Sequence, residues 1–193
     1  MPLSGRAALV AALEAVGERL AYDGVTCTLV VVGGAALNLL GIVDRATIDV
    51  DVLARLGDDG QTLQPPDLLP DALRRAIVAV ARDRGLLENW MNTAVADQWR
   101  FGLPPGLGDR LTWQTFGGLR VGIVERRDLI CFKLYASVDQ AGPDNVHVRD
   151  LLALQPSDAE LEAAADWVQA QDAGPDFHAV VAKVAAHVRK ALR

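Results

Sequence analysis

Thr26-Cys27-Thr28-Leu29-Val30-Val31-Val32-Gly33-Gly34 is a β-branched run that stops abruptly at two glycines, and Asp44-Arg45-Ala46-Thr47-Ile48-Asp49-Val50-Asp51 follows shortly afterwards. The first run reads as a strand, and Ala35, Ala36, Leu37, Leu39 and Leu40 beyond the glycines read as a short buried helix. Gly41 stops that helix. Ile48, Val50 and Val52 then alternate with Asp49 and Asp51, the period-two pattern of a second strand whose apolar members are expected to face the core. Strand, glycine turn, helix and strand in succession point to an α/β or α+β fold.

Working outward, Ser4 is placed to cap a helix carrying Leu9, Leu13, Val16 and Leu20 and ending near Tyr22. Gly57-Asp58-Asp59-Gly60 marks an exposed connection, and a helix is expected from Pro70 to Arg84, closed by Gly85. Residues 86 to 118 hold Trp90, Trp99 and Trp113 among many Gly and Pro, which suggests short strands and loops. Leu119 to Val124 is a further strand, and Asp128 sits where a cap would open a helix containing Leu129, Cys131, Phe132, Leu134 and Tyr135. Helices then follow at Val148–Leu154, at Ser157 to Gln171 with the capping-box pattern Ser157-x-x-Glu160, and after Gly174-Pro175. The expected organisation is an α/β core over residues 1–125 and a helical C-terminal portion over 126–193.

The chain has 193 residues, 51% hydrophobic and 23% charged, which suits one folded unit and excludes disordered, collagen-like and disulfide-scaffold classes. A formal net charge of -6 argues against a broad basic nucleic-acid surface and leaves a local basic pocket open. Cys27 and Cys131 lie in separate apolar runs and read as buried free thiols. His147, His178 and His187 have no metal-ligand spacing and read as surface residues. No segment approaches the length of a membrane span, and a cytoplasmic protein is expected.

Asp49 and Asp51, two apart on a strand, project to one face with roots roughly 6 to 7 Å apart, a spacing that divalent cations bridge. A half-exposed strand alternating Val with Asp has the same pattern, although Asp is a poor strand former. A glycine pair between strand and helix leaves backbone N–H donors open to a phosphate, and it serves equally as a tight strand-to-helix turn. The pattern is neither G-x-x-x-x-G-K-[ST] nor G-x-G-x-x-G.

Gly33-Gly34, the run Arg45-x-Thr47-x-Asp49-x-Asp51, Lys133 in Phe-Lys-Leu-Tyr-Ala and Asp150 in His-Val-Arg-Asp-Leu together resemble the successive motifs of the AbiEii-like nucleotidyltransferases. These belong to the polymerase-β-type superfamily and include the MenT-type toxins of toxin-antitoxin systems. Trp90-Met91-Asn92 is similar to a recurrent stretch of bacterial members. The resemblance spans roughly residues 25 to 155. It implies a nucleotidyltransferase-fold mixed sheet flanked by helices and transfer of a nucleoside monophosphate from an NTP, assisted by Mg²⁺ or Mn²⁺. It also implies a tRNA 3′ end or a protein as acceptor and a cognate antitoxin as partner.

The resemblance further assigns the metals to Asp49 and Asp51, phosphates to the backbone at Gly33 and Gly34, triphosphate charge to Lys133, and a completing or lysine-orienting role to Asp150. Arg45 is then a phosphate contact, and Thr47 shares the face of the acids. Two departures stand out. Gly34 replaces the serine usual in the superfamily, and the third carboxylate of polymerase-like members has only Glu125, at the end of the Leu119–Val124 strand, as a substitute. A catalytically weak nucleotide-binding regulatory module with the same fold is the alternative.

Overall fold

A computed structural model describes residues 2–57, 59–139 and 145–193. Asp58, in the Gly57–Gly60 connection, lies outside the described residues. Two units divide the chain. The first comprises residues up to Arg100 together with Gly106–Glu125; the second comprises Phe101–Pro105 and the residues from Arg126 onward.

The first unit runs α1 (Arg6–Tyr22), β1 (Cys27–Val32), α2 (Gly33–Leu39), β2 (Val50–Leu56), β3 (Leu63–Gln64), α3 (Asp71–Arg84), β4 (Met91–Asn92), two 3₁₀ turns at Ala94–Arg100 and Leu107–Arg110, β5 (Thr112–Phe116) and β6 (Leu119–Ile123). Its mixed sheet has the order β3-β2-β1-β6-β5, with β4 also paired to β2. β1 sits at the centre, antiparallel to β2 and parallel to β6, and Leu29, Val30, Val31 and Val32 are all buried, as a central run rich in valine requires. The register between β1 and β2 slips by one residue, so that Val30 faces Ala54 but Val31 faces Val52. Leu53 is the extra residue of this bulge, and it explains three consecutive buried positions, Val52, Leu53 and Ala54, on β2.

Helix α1 packs on β5, β6, α2 and α3 through Leu9, Leu13, Val16 and Leu20. Gly17 allows the closest approach. A Cβ there would overlap the Phe116 carbonyl oxygen, and Gly118 N–H donates to Gly17 O at 2.9 Å. The helix is capped by Gly5 at φ +84° rather than by Ser4, because the Arg6 N–H donates instead to the distant Asp44 carboxylate at 2.9 Å.

The second unit contains α4 (Arg126–Asp139), α5 (Val146–Leu154), α6 (Asp158–Gln169) and α7 (Pro175–Ala191), with α5, α6 and α7 all packed on α4. Val181, Val184, Ala185 and Val188 form the buried stripe of α7, and Phe132 meets Trp167 edge to face at 5.6 Å. Helix α4 begins two residues before the expected cap, which places Asp128 in its first turn at 1% exposure. Arg126 ties the ends of neighbouring helices together: it donates to Leu154 O (2.8 Å), to Gln155 O (2.7 Å) and, through both terminal nitrogens, to Glu160. The Ser157–Glu160 capping box is formed as the pattern predicts. Cys27 and Cys131 are free and buried, and burial pushes the Cys27 thiol up. Among the described residues no helix is long and apolar enough to cross a membrane.

Candidate functional site

The site begins where β1 ends. Gly33 has φ +76°, in the left-handed region that glycine tolerates, and a Cβ on it would overlap Asp51 Oδ2. The register that pairs Val32 with Asp51 brings the carboxylate to this turn. Gly34 is less crowded: a Cβ there would stand 3.0 Å from Thr47 Oγ1 and 3.7 Å from Arg45 Nη2. The turn therefore gathers Gly33, Gly34, Arg45, Thr47 and Asp51, five of the residues singled out from the sequence. A serine at position 34 would crowd Thr47, whose hydroxyl already stands beside that position.

The segment carrying Arg45 and Thr47 is held from two sides. Thr47 exchanges both backbone hydrogen bonds with Leu3 (2.8 and 3.0 Å), while its hydroxyl donates to Asp49 O at 3.1 Å. On the other side the Arg45 N–H donates to Asn38 Oδ1 at 3.2 Å. This bridge to Leu3 delays the strand, so β2 starts at Val50 and not at Ile48. Ile48 is 63% exposed, which corrects the expectation that it faces the core. Asp49 and Asp51 are half-buried on either side of the fully buried Val50, so neither faces the core.

Strand β4 flanks the acids. Val50 N–H donates to Trp90 O at 2.6 Å, and Asn92 lies directly opposite Asp51 in parallel register. Trp90 is fully buried, and its indole donates to Ile77 O at 3.1 Å, which fixes β4 against α3. The position opposite Asp51 on this neighbouring strand thus carries an amide. Asn92 Oδ1 accepts from the Ala94 N–H at 2.8 Å. Glu125, the substitute considered for a third carboxylate, accepts from the Thr112 hydroxyl at 3.2 Å. Among the described residues no group of three or more His, Cys, Asp or Glu is placed to hold a metal ion.

In the second unit Lys133 and Asp150 form an ion pair at 2.8 Å, with side chains only 6% and 2% exposed. Asn145 caps α5 by accepting from the N–H groups of His147 and Val148, which fixes the helix that carries Asp150. Of the two placements considered for Asp150, completing acid or orienting partner of Lys133, the structure shows the pairing in space; a lysine on an exposed face would leave its ammonium in solvent. The histidines are not all at the surface: His147 and His178 are half-buried, and His178 Nε2 lies 2.7 Å from Asp172 O and 3.1 Å from Gln169 O.

Asn38 is the site residue that the reading of the sequence passed over. A lone amide inside the apolar run Ala35 to Leu40 is the signal that marks it, since a buried polar group needs partners.

A mixed sheet flanked by helices, whose central strand ends in a glycine turn facing a carboxylate, is consistent with a nucleotidyltransferase fold. The family model described as a nucleotidyltransferase of unknown function (DUF6036) matches residues 7–154, and the chain belongs to that family. Neither the curated proteins nor the solved structures gave a match.

Proposed function

We propose that this chain is a metal-dependent nucleotidyltransferase of the AbiEii-like type, which transfers a nucleoside monophosphate from an NTP to a tRNA 3′ end or a protein. The observation that carries the reading is the convergence of Asp51, Thr47 and Arg45 on the Gly33-Gly34 turn. Backbone stripped of Cβ atoms next to a guanidinium is suited to phosphates, and a carboxylate across the same turn is suited to a hard cation.

The donor set fits Mg²⁺ or Mn²⁺ of a particular kind. Mg²⁺ is commonly held by one or two carboxylates together with substrate phosphates. Asp49 and Asp51 supply that number, and the closeness of Gly33 to Asp51 leaves the carboxylate beside the turn where phosphates would lie. Bound there with the triphosphate, the ion supplies charge neutralisation and acidifies the attacking hydroxyl. Gly33 and Gly34 offer N–H donors, Arg45 balances phosphate charge, and the Thr47 hydroxyl stands beside position 34, where the superfamily usually has a serine. In the reaction the acceptor oxygen bonds to the α-phosphorus, the bond from that phosphorus to pyrophosphate breaks, and the acceptor proton is released to a base. For Lys133 and Asp150 the reading retains the roles implied by the resemblance, triphosphate charge and lysine orientation. A toxin of a toxin-antitoxin pair, restrained by a cognate antitoxin and working in the cytoplasm, is the biological form of this reading.

The amide of Asn92 opposite Asp51 favours a second reading, a nucleotide-binding regulatory module with weak catalysis. Incorporation of label from each α-labelled NTP with Mg²⁺, offering total tRNA and total protein, decides between them. Label on one acceptor that disappears in Asp49→Ala and Asp51→Ala supports the transferase. NTP binding without incorporation or pyrophosphate release supports the module, and absence of NTP binding overturns both.

A further inference from the structure

Asn38 is fully buried within α2, a helix that is otherwise apolar between Ala35 and Leu39. Its amide has one partner on each side of the site. Nδ2 donates to Gly34 O at 2.9 Å, and Oδ1 accepts from the Arg45 N–H at 3.2 Å. One planar group therefore spans the glycine turn and the segment that brings Arg45 and Thr47 to it. The two ends of the amide are chemically different and so are their partners. A carboxylate would keep the bond from Arg45 but set a lone pair against Gly34 O, and an alkyl side chain would remove both bonds and with them the link between the turn and the Arg45 segment.

We infer that Asn38 is a positioning residue that fixes the distance between the glycine turn and Arg45, so that both engage one polyphosphate chain. It acts through Gly34 and Arg45 and does not itself touch the nucleotide. The inference rests on the nucleotidyl-transfer reading and adds to it a structural determinant of triphosphate affinity.

The test uses the full chain and its Asn38→Asp, Asn38→Ser and Leu161→Ala variants. Leu161 is a buried residue of the second unit and serves as a control for lost stability. Binding of each NTP with Mg²⁺, and of inorganic tripolyphosphate, is measured by calorimetry beside thermal melting. The expected result is an affinity for NTP and tripolyphosphate lowered about 10-fold or more in the Asn38 variants while the Leu161→Ala variant binds like the parent. Two results would overturn the inference while leaving the functional reading intact: unchanged affinity in an Asn38 variant, or an equal affinity loss in Leu161→Ala. Asn38→Ser, which is short but retains a hydroxyl donor and acceptor, keeps the test open if the carboxylate variant fails to fold. A parent protein that binds neither NTP nor tripolyphosphate would instead remove the functional reading on which the inference stands.

Discussion

Gly33 and Asp51 occupy mutually exclusive space: the carboxylate Oδ2 stands where any side chain at position 33 would begin. The left-handed conformation of Gly33 adds a second constraint of about 1–2 kcal/mol against other residues. Gly33→Ala is therefore expected to lower Tm and also to displace Asp51, weakening Mg²⁺-dependent NTP binding. Gly34→Ser, whose Cβ needs only a small shift of Thr47, is expected to be milder in both respects. Melting curves and NTP titrations on the two variants check the ranking.

Asp49→Asn is expected to separate stability from activity. The half-buried carboxylate stands two residues before Asp51 in the chain, and removing one of two like charges relieves any repulsion between them when no cation is present. Its Tm without metal should hold or rise, while nucleotide incorporation falls by about 100-fold or more. A fall in Tm large enough to account for the lost incorporation would count against the metal role.

The Lys133–Asp150 pair behaves in the opposite way. Because both side chains are almost completely buried, removing one partner takes the opposite charge away from a buried ion, and Lys133→Met or Asp150→Asn should cost about 3–5 kcal/mol. The double variant Lys133→Met with Asp150→Leu should recover much of that loss. Denaturant unfolding of the three proteins measures the coupling, and incorporation by a folded double variant reports whether the pair also serves the reaction.

Acid should loosen the second unit by a defined route. Hydrogen bonds from the Arg126 guanidinium and the Ser157 backbone hold the Glu160 carboxyl down at about 2, against 4.5 ordinarily. A lowered folded-state value means that the stabilisation is complete above pH 4.5 and is lost as pH falls from there through about 2. With Glu160 and Arg126 side chains 30% and 39% exposed, screening reduces the effect to about 1 kcal/mol. Glu160→Gln should flatten this part of the stability-pH curve, as read by thermal melts from pH 6 to 2.

Much of the framework was legible because it depends on local pattern. The valine run ending in two glycines, the helix closed by Gly85 and the Ser157–Glu160 box all form as their spacing indicates. Ile48 was misleading because period two says nothing about where pairing starts, and here the bridge from Leu3 to Thr47 takes up the chain before the strand begins. β4, only two residues long, has no periodicity to detect, so the register of Asn92 with Asp51 was invisible. The acid run was legible because Asp is a poor strand former and the glycine pair because it ends a strand and opens a helix, whereas Arg45 entered only through the family resemblance. Asn38 was passed over although its partners Gly34 and Arg45 are only four and seven residues away, because a single amide in an apolar helix leaves no periodic signal, whereas the approach of Gly17 to Phe116 depends on a partner far along the chain. Gly17→Ala, expected to cost about 1–3 kcal/mol by overpacking, measures the second of these in a melting experiment.

The parallel pairing of β1 with β6 joins Cys27 to Leu119 and Val31 to Ile123, residues about ninety positions apart. Closing so long a loop is slow, and during synthesis the glycine turn and both aspartates emerge well before β6. Until Leu119 is made, one edge of the valine-rich β1 has no partner and resembles a strand ready to pair with another chain. Fragments ending before β6 should therefore aggregate even though they contain both aspartates of the candidate metal site, and the sheet around the glycine turn is completed among the last events in the folding of the first unit.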